Sequence, residues 1–143
     1  KPSILKIGSW ETLIEGESTA ILALGSMVSL VLDSIDKISK SVNFQPTIVN
    51  ARFVKPLDEN LLILLCKKHS SIITIEEGSL NGGFGSSISE FIHDNNIKIK
   101  LSRLGIKDEF VQHGTRAELL KKTGLTIDNI INIINNKKII YED

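Results

Sequence analysis

Apolar residues recur along this chain in two alternating rhythms, short near-continuous runs and longer stretches at helical spacing. Trp10–Glu15 and Thr19–Leu24 are two extended pieces separated by Gly16-Glu17-Ser18, residue types suited to a turn; they either pair antiparallel or turn a corner. The second piece is apolar nearly throughout, the mark of a strand covered on both faces. It stops at Gly25-Ser26, and Val28, Val31, Leu32, Ile35 and Ile38 then predict a single helix. The unit repeats. Thr47–Ala51 reads as a strand, Pro56-Leu57-Asp58 as a helix entry with Asp58 at the N-cap, and Leu61, Leu64 and Leu65 as the buried stripe.

Ile72–Ile75 makes a third buried strand ending at Glu76-Glu77-Gly78. Asn81-Gly82-Gly83-Phe84-Gly85 then leads into a helix with Ile88, Phe91 and Ile92 on one face. Ile97–Leu104 supplies another strand. Thr115-Arg116-Ala117-Glu118 is a capping box that opens a short helix, Gly124 ends it, and Ile127, Ile130, Ile131 and Ile134 stripe a final helix. Alternation of this kind implies a mostly parallel sheet with helices on both faces, a three-layer α/β/α sandwich occupying residues 1–143 as one domain. In such sheets ligands and partners meet the loops beyond the carboxyl ends of the strands. Here those are Gly25-Ser26, Arg52–Lys55, Glu76–Gly85 and Gly105–Arg116.

Charge and cysteine content narrow the class. Seventeen basic residues balance seventeen acidic ones, so no net field draws the chain to nucleic acid, an anionic membrane or an acidic partner. Cys66 is the only cysteine, which excludes an internal disulfide, and no apolar run approaches the ~18 residues needed to span a bilayer. A reducing compartment is expected. The opening Lys1-Pro2-Ser3, with neither an initiator Met nor a signal pattern, points to a chain taken from something longer.

Glycines before a helix let backbone N–H groups approach an anion, so Gly82, Gly83 and Gly85 invite comparison with phosphate loops. No Gly-Lys-Ser/Thr ending follows, and the dinucleotide glycine spacing is absent from the first strand-to-helix turn. Tight packing is the leading role for these glycines, with small-anion binding second. Adjacent Glu76 and Glu77 point to opposite faces if the strand continues through them, which favours capping or ion pairing over a catalytic pair. His113 and Arg116 flank a helix start, a fair arrangement for a phosphate or carboxylate. His69 and His93 fall at helix C-terminal ends, where a cation complements the dipole. Cys66 lies among helical leucines as a core filler, and neither metal-ligand spacing nor a nucleophile elbow occurs.

Taken in order, Ala23-Leu24-Gly25-Ser26-Met27, Asn50-Ala51-Arg52-Phe53-Val54-Lys55-Pro56-Leu57-Asp58, Glu76-Glu77-Gly78, Gly82-Gly83-Phe84-Gly85-Ser86, Arg103-Leu104-Gly105 and His113-Gly114-Thr115-Arg116-Ala117-Glu118-Leu119-Leu120 resemble the C-terminal domain of transketolase-type enzymes. Within that family they are most similar to the 1-deoxy-D-xylulose-5-phosphate synthase branch. The match runs over nearly the whole chain. Asn50, where an acidic residue is expected, and Asn81, where a small one is commoner, are its departures.

The resemblance implies a five-stranded sheet, mostly parallel, with one antiparallel edge strand, for which Trp10–Glu15 is the candidate. It implies a parent enzyme, bacterial and cytoplasmic or of the plastid stroma, that condenses pyruvate with glyceraldehyde 3-phosphate, with loss of carbon dioxide, for isoprenoid, thiamine and pyridoxal synthesis. That parent uses thiamine diphosphate and Mg2+ and works as a homodimer. The motifs that hold metal and diphosphate belong to the preceding domains and do not occur here, so no catalytic, cofactor or metal residue and no cofactor is expected in this fragment. Its expected role is to pack against the N-terminal and pyrimidine-binding domains of its own chain. The expected contact edge, or anion contact, comprises Arg52, Lys55 and Asp58, then Glu77 with Gly82, Gly83, Phe84 and Gly85, then His113 with Arg116. Two alternatives stand beside this one: a regulatory module binding a phosphorylated metabolite through the glycine loop and His113/Arg116, and the equivalent domain of another thiamine-diphosphate enzyme.

Overall fold

The computed structural model describes residues 4–109 and 113–142. Five strands, β1 (Glu11–Ile14), β2 (Thr19–Ala23), β3 (Thr47–Asn50), β4 (Ser71–Ser79) and β5 (Lys100–Ile106), form one sheet in the order β1-β3-β2-β4-β5. β1 runs antiparallel to β3, and the other three pairings are parallel. The antiparallel edge strand is therefore where the family resemblance placed it, a point the residue pattern left open. Every residue of β2 is buried, because this strand lies between two neighbours and beneath helices on both faces.

Side chains of successive strand residues feed two separate cores. Ile21, Ala23, Ile48, Ile73 and Ile75 pack with α1 (Met27–Asp33), α2 (Ile35–Val42) and α6 (Ile127–Ile134), while Ala20, Leu22, Val49 and Ile72 pack with α3 (Glu59–Lys68) and α4 (Phe84–Asp94). Full burial of each such Ile, Leu or Phe side chain is worth roughly 1.5–3 kcal/mol, so these two layers hold the sandwich together. A short helix, α5 (Arg116–Lys122), contributes no buried residue to either.

Several boundaries differ from the sequence reading. The helix expected across Val28–Ile38 is two helices, because Ser34 leaves the helical region at φ −112° and ψ 9°. That break lets Val31 and then Ile38 and Val42 all reach one core, and it sets Lys37 against Asp128 of α6 at 2.6 Å. In α3 the buried residues are Leu62 and Leu65, whereas Leu64 is 61% exposed, so the predicted stripe was displaced around the helix. α6 buries Ile133 and Asn129 as well as Ile127 and Ile130; Ile131 and Ile134 are half-buried. β4 continues through Glu76-Glu77-Gly78 to Ser79, and β5 begins at Lys100 instead of Ile97.

His69 lies at the C-terminal end of α3, as expected, but inside the fold. It is buried at the C-cap of α3, with Nδ1 3.0 Å from the Leu65 carbonyl and Nε2 2.8 Å from the Thr47 hydroxyl. Since a carbonyl only accepts, Nδ1 is the donor there. Thr47 Oγ1 also accepts the Gly16 N–H at 2.9 Å, which joins the β1–β2 turn, β3 and α3 in one buried chain of hydrogen bonds. His93 lies exposed in the last turn of α4, as expected.

Candidate functional site

The carboxyl ends of the strands carry three groups of polar residues, and two of them are built around Glu76 and Glu77 of β4. α1 leaves β2 on one face of the sheet and α4 leaves β4 on the other. Between the ends of these neighbouring strands lies the crevice in which open α/β sheets bind ligands.

On the α4 side of the sheet, Glu76 is 4% exposed. Its Oε2 accepts the Phe84 N–H and its Oε1 the Gly85 N–H, both at 2.8 Å. A helix N-terminus presents unpaired N–H groups and partial positive charge, and here the chain's own carboxylate fills that position. The glycines follow from this close approach. A Cβ on Gly83 would fall 2.1 Å from the Ser79 carbonyl oxygen and 2.6 Å from Glu76 Oε2, and one on Gly85 would fall 2.7 Å from Thr74 Oγ1. Gly82 takes a positive φ of 76° and donates its N–H to Ser86 Oγ. Arg103 of β5 secures the loop by donating to the Leu80 carbonyl and to Ser86 Oγ.

This arrangement bears on the secondary, anion-binding reading of the loop and on the placing of Phe84 and Gly85 at its edge. The glycine loop is not an open anion cradle, because the leading N–H groups of α4 are held by Glu76. Phe84 and Gly85 do not lie on a contact edge; the Phe84 ring is 1% exposed and stands edge-on to Trp10, ring centres 5.7 Å apart. Of the four candidate residues in that loop, Gly82 and the half-buried Gly83 remain at the surface.

One residue further on, Glu77 points to the opposite face and is exposed. It accepts from Arg116 Nη2 at 2.8 Å and from Ser26 Oγ at 2.7 Å. Hydrogen bonds from Arg116 and then Ser26 hold the Glu77 carboxyl below its ordinary range, and the same carboxylate pushes Arg116 upward. The crevice between β2 and β4 is thus bridged by Ser26, Glu77 and Arg116. Arg116 begins α5, whose capping box is present: Thr115 accepts the Glu118 N–H while Glu118 accepts the Thr115 N–H. That backbone bond lowers the Glu118 carboxyl as well. His113 is exposed and, with Gly114 and Leu119, lines two open clefts of about 380 and 300 Å³.

At the β3 end, Arg52 pairs with Glu11 of β1. Asp58 caps α3 as expected, Oδ1 accepting from Leu61 N at 3.0 Å, while Oδ2 accepts the Trp10 N–H at 2.9 Å and so fastens the strand entry to the helix. Lys55 is exposed beside a cis peptide bond to Pro56. The expected residues therefore separate into a β1–β3 group and a Glu77–Arg116 group with His113 nearby, with the Glu76 cap between them. Ser26, Arg103 and Trp10 were not among the candidate site residues. Of these, Trp10 was the most legible, a lone Trp immediately before the edge strand.

Cys66 is half-buried against the α3–α4 core, and burial pushes its thiol up, away from nucleophilic character. Among the described residues no three His, Cys, Asp or Glu side chains are grouped to hold a metal ion, and no helix is long and apolar enough to cross a membrane.

Known proteins similar to this chain in sequence or in shape agree with one another. Curated relatives named 1-deoxy-D-xylulose-5-phosphate synthase include one from Geobacillus sp. (strain WCH70), 44% identical over 89% of the chain, and one from Bacillus cereus (strain AH187), 41% identical over 92%. The chain spans 20% and 21% of those two proteins' lengths. Among solved structures, a split-gene transketolase described as an inactive β4 tetramer superposes with a TM-score of 0.83 at 28% identity, covering 92% of this chain and 43% of the other. Transketolase from Campylobacter jejuni matches in fold, with a TM-score of 0.66 at 20% identity over 96% of this chain and 20% of that one. The family described as "Transketolase, C-terminal domain" matches residues 8–130, and the chain belongs to that family.

Proposed function

We propose that this chain is the C-terminal domain of a 1-deoxy-D-xylulose-5-phosphate synthase and that its own contribution is to build and hold the enzyme's architecture. The observation that carries the structural half of this reading is the occupation of the sheet's ligand-binding edge by the domain's own side chains. Glu76 takes the α4 N-terminus, and Ser26, Glu77 and Arg116 span the crevice beside it. The catalytic half rests on the relatives' identity of 41–44% across this domain.

Thiamine diphosphate and Mg2+ do not fit the residues present here. A diphosphate needs open N–H groups or cations and a hard metal needs grouped oxygen ligands, whereas the glycine loop is closed by a carboxylate and the described residues offer no metal-binding group. That supports placing the cofactor on other domains of the parent, and no step of the reaction is assigned to this chain. The same closure counts against a phosphometabolite module built on the glycine loop. Assembly as a homodimer, in bacterial cytoplasm or plastid stroma, completes the proposal; the tetramer named for the split-gene relative is consistent with association through such subunits.

The test uses the full-length parent. Release of carbon dioxide from pyruvate should require glyceraldehyde 3-phosphate, thiamine diphosphate and Mg2+ together. Two-carbon transfer between sugar phosphates without pyruvate would instead make the parent a transketolase. In the same enzyme, Arg52→Ala should lower thermal stability or dimerisation without a selective rise in the KM of either substrate; such a rise would place Arg52 at a substrate.

A further inference from the structure

We infer that the groove between the free edge of β1 and helix α3 is the seat of the polypeptide that precedes this domain in a longer parent chain, an inference that rests on the reading above. The starting point is the failed stripe of α3. Leu61, Leu64, Leu65 and Lys68 fall at the i, i+3, i+4, i+7 spacing of a covered helix face, yet only Leu65 of them is buried, because Leu62 turns into the core in their place. The helix has more apolar face than this domain covers. Half-buried Leu61 and exposed Leu64 line a groove of about 440 Å³ with Thr12 and Glu15 on its other wall, and Lys68 joins the two walls through its ion pair with Glu15.

Among the described residues β1 is the outermost strand, so its far side carries backbone groups with no described strand beside them. An open strand edge beside an apolar helix face accepts an extended segment through its main chain and that segment's apolar side chains. The occupant follows from two facts. The curated relatives extend far beyond the part matched here, the chain spanning only 20% of one of them. The first described residues also arrive at the start of the same helix and strand: Lys6, Gly8 and Ser9 line a cleft with Pro56, Asp58 and the first turn of α3, and the Trp10 N–H is bound to Asp58 just before β1. Ile4 and Ile7 of that incoming stretch are themselves exposed, at 100% and 75%, so the uncovered apolar surface continues from the groove into the chain that enters it.

The experiment places a single thiol in the groove of the full-length protein, Leu64→Cys in a Cys66→Ala background, with Thr12→Cys on the opposite wall as a second variant. Each is labelled with a maleimide in the native protein and after unfolding in urea. A covered groove slows native labelling by about tenfold or more, since reaction then waits on local opening. That protection should appear at both positions and be independent of protein concentration. Native labelling within about twofold of the unfolded rate, as expected for an accessible thiol, overturns the inference. Protection that disappears on dilution to monomer also overturns it, in favour of a second copy. Because labelling does not depend on activity, a parent with a different reaction would leave this result standing, and an open groove would leave the assigned activity standing.

Discussion

Glu76 and Glu77 are neighbours in the chain with identical side chains, yet they occupy two opposed environments. Glu76 is buried and bound by two backbone N–H groups of α4. Glu77 is exposed and bound by Arg116 and Ser26. The difference arises because β4 continues through both, sending successive side chains to opposite faces of the sheet. It teaches that the same carboxylate is a structural cap where water is excluded and a weak, adjustable tether where it is not. A buried donor left unpaired costs about 1–3 kcal/mol, whereas exposed ion pairs contribute little.

The sharpest way to break the comparison is Glu76→Ala, which leaves two N–H groups at the start of α4 without their acceptor. At the usual cost per unpaired buried donor, the loss is about 4 kcal/mol, read as a lower urea midpoint at unchanged slope. Stability equal to the wild type would show that the α4 N-terminus needs no anion. Next comes Gly83→Ala. Its Cβ would collide with the Ser79 carbonyl oxygen, and overpacking of this kind costs roughly 1–3 kcal/mol or more; thermal unfolding should show it, while Gly82→Ala, where nothing lies within 4 Å, should register only backbone strain from its positive φ.

On the Glu77 side the effects shrink. Thr115→Ala removes the cap of α5 and should cost about 1 kcal/mol, detected as faster amide exchange confined to α5. Since that helix buries no residue of its own, global unfolding should barely shift. Smallest is Arg116→Ala, with a reduction in melting temperature that vanishes near 1 M salt, where the screening length falls to about 3 Å. The pH dependence has a defined sign. Glu77 is depressed below its ordinary value of 4.5 in the folded state, so its contribution is complete above that value and is lost as pH falls through the lower, folded one. Acid titration of Arg116→Ala should therefore converge with the wild type once the pH has fallen below that folded value. A gap that persists there would mean that Arg116 acts through packing and not through Glu77.

Much of the fold was legible because the signals are local. Ile72–Ile75 as a buried strand, Asp58 as an N-cap and Thr115–Glu118 as a capping box each depend on residues within one turn or strand of one another, and all three are present. The stripe of α3 was misplaced because Leu61, Leu62, Leu64 and Leu65 satisfy two helical faces equally, and only the position of the sheet selects Leu62. Of the candidate site, Arg52, Lys55, Glu77, His113 and Arg116 do lie toward the surface at the strand ends, but Phe84 and Gly85 belong to the interior. Glycines before a helix mark close approach without saying what approaches, and the answer, Glu76, lies on another element.

By itself, then, the sequence determined the alternation of strands and helices, the caps that start α3 and α5, and the family resemblance, since each is written in residue spacing. Tertiary structure alone decided that β2 lies between β3 and β4, that Ser34 divides a helix, and that one of two adjacent glutamates is sealed inside while the other remains in water. Those outcomes depend on which surfaces meet. Burial is set by packing between elements distant in the chain, and no local pattern encodes the partner that will cover a given side chain.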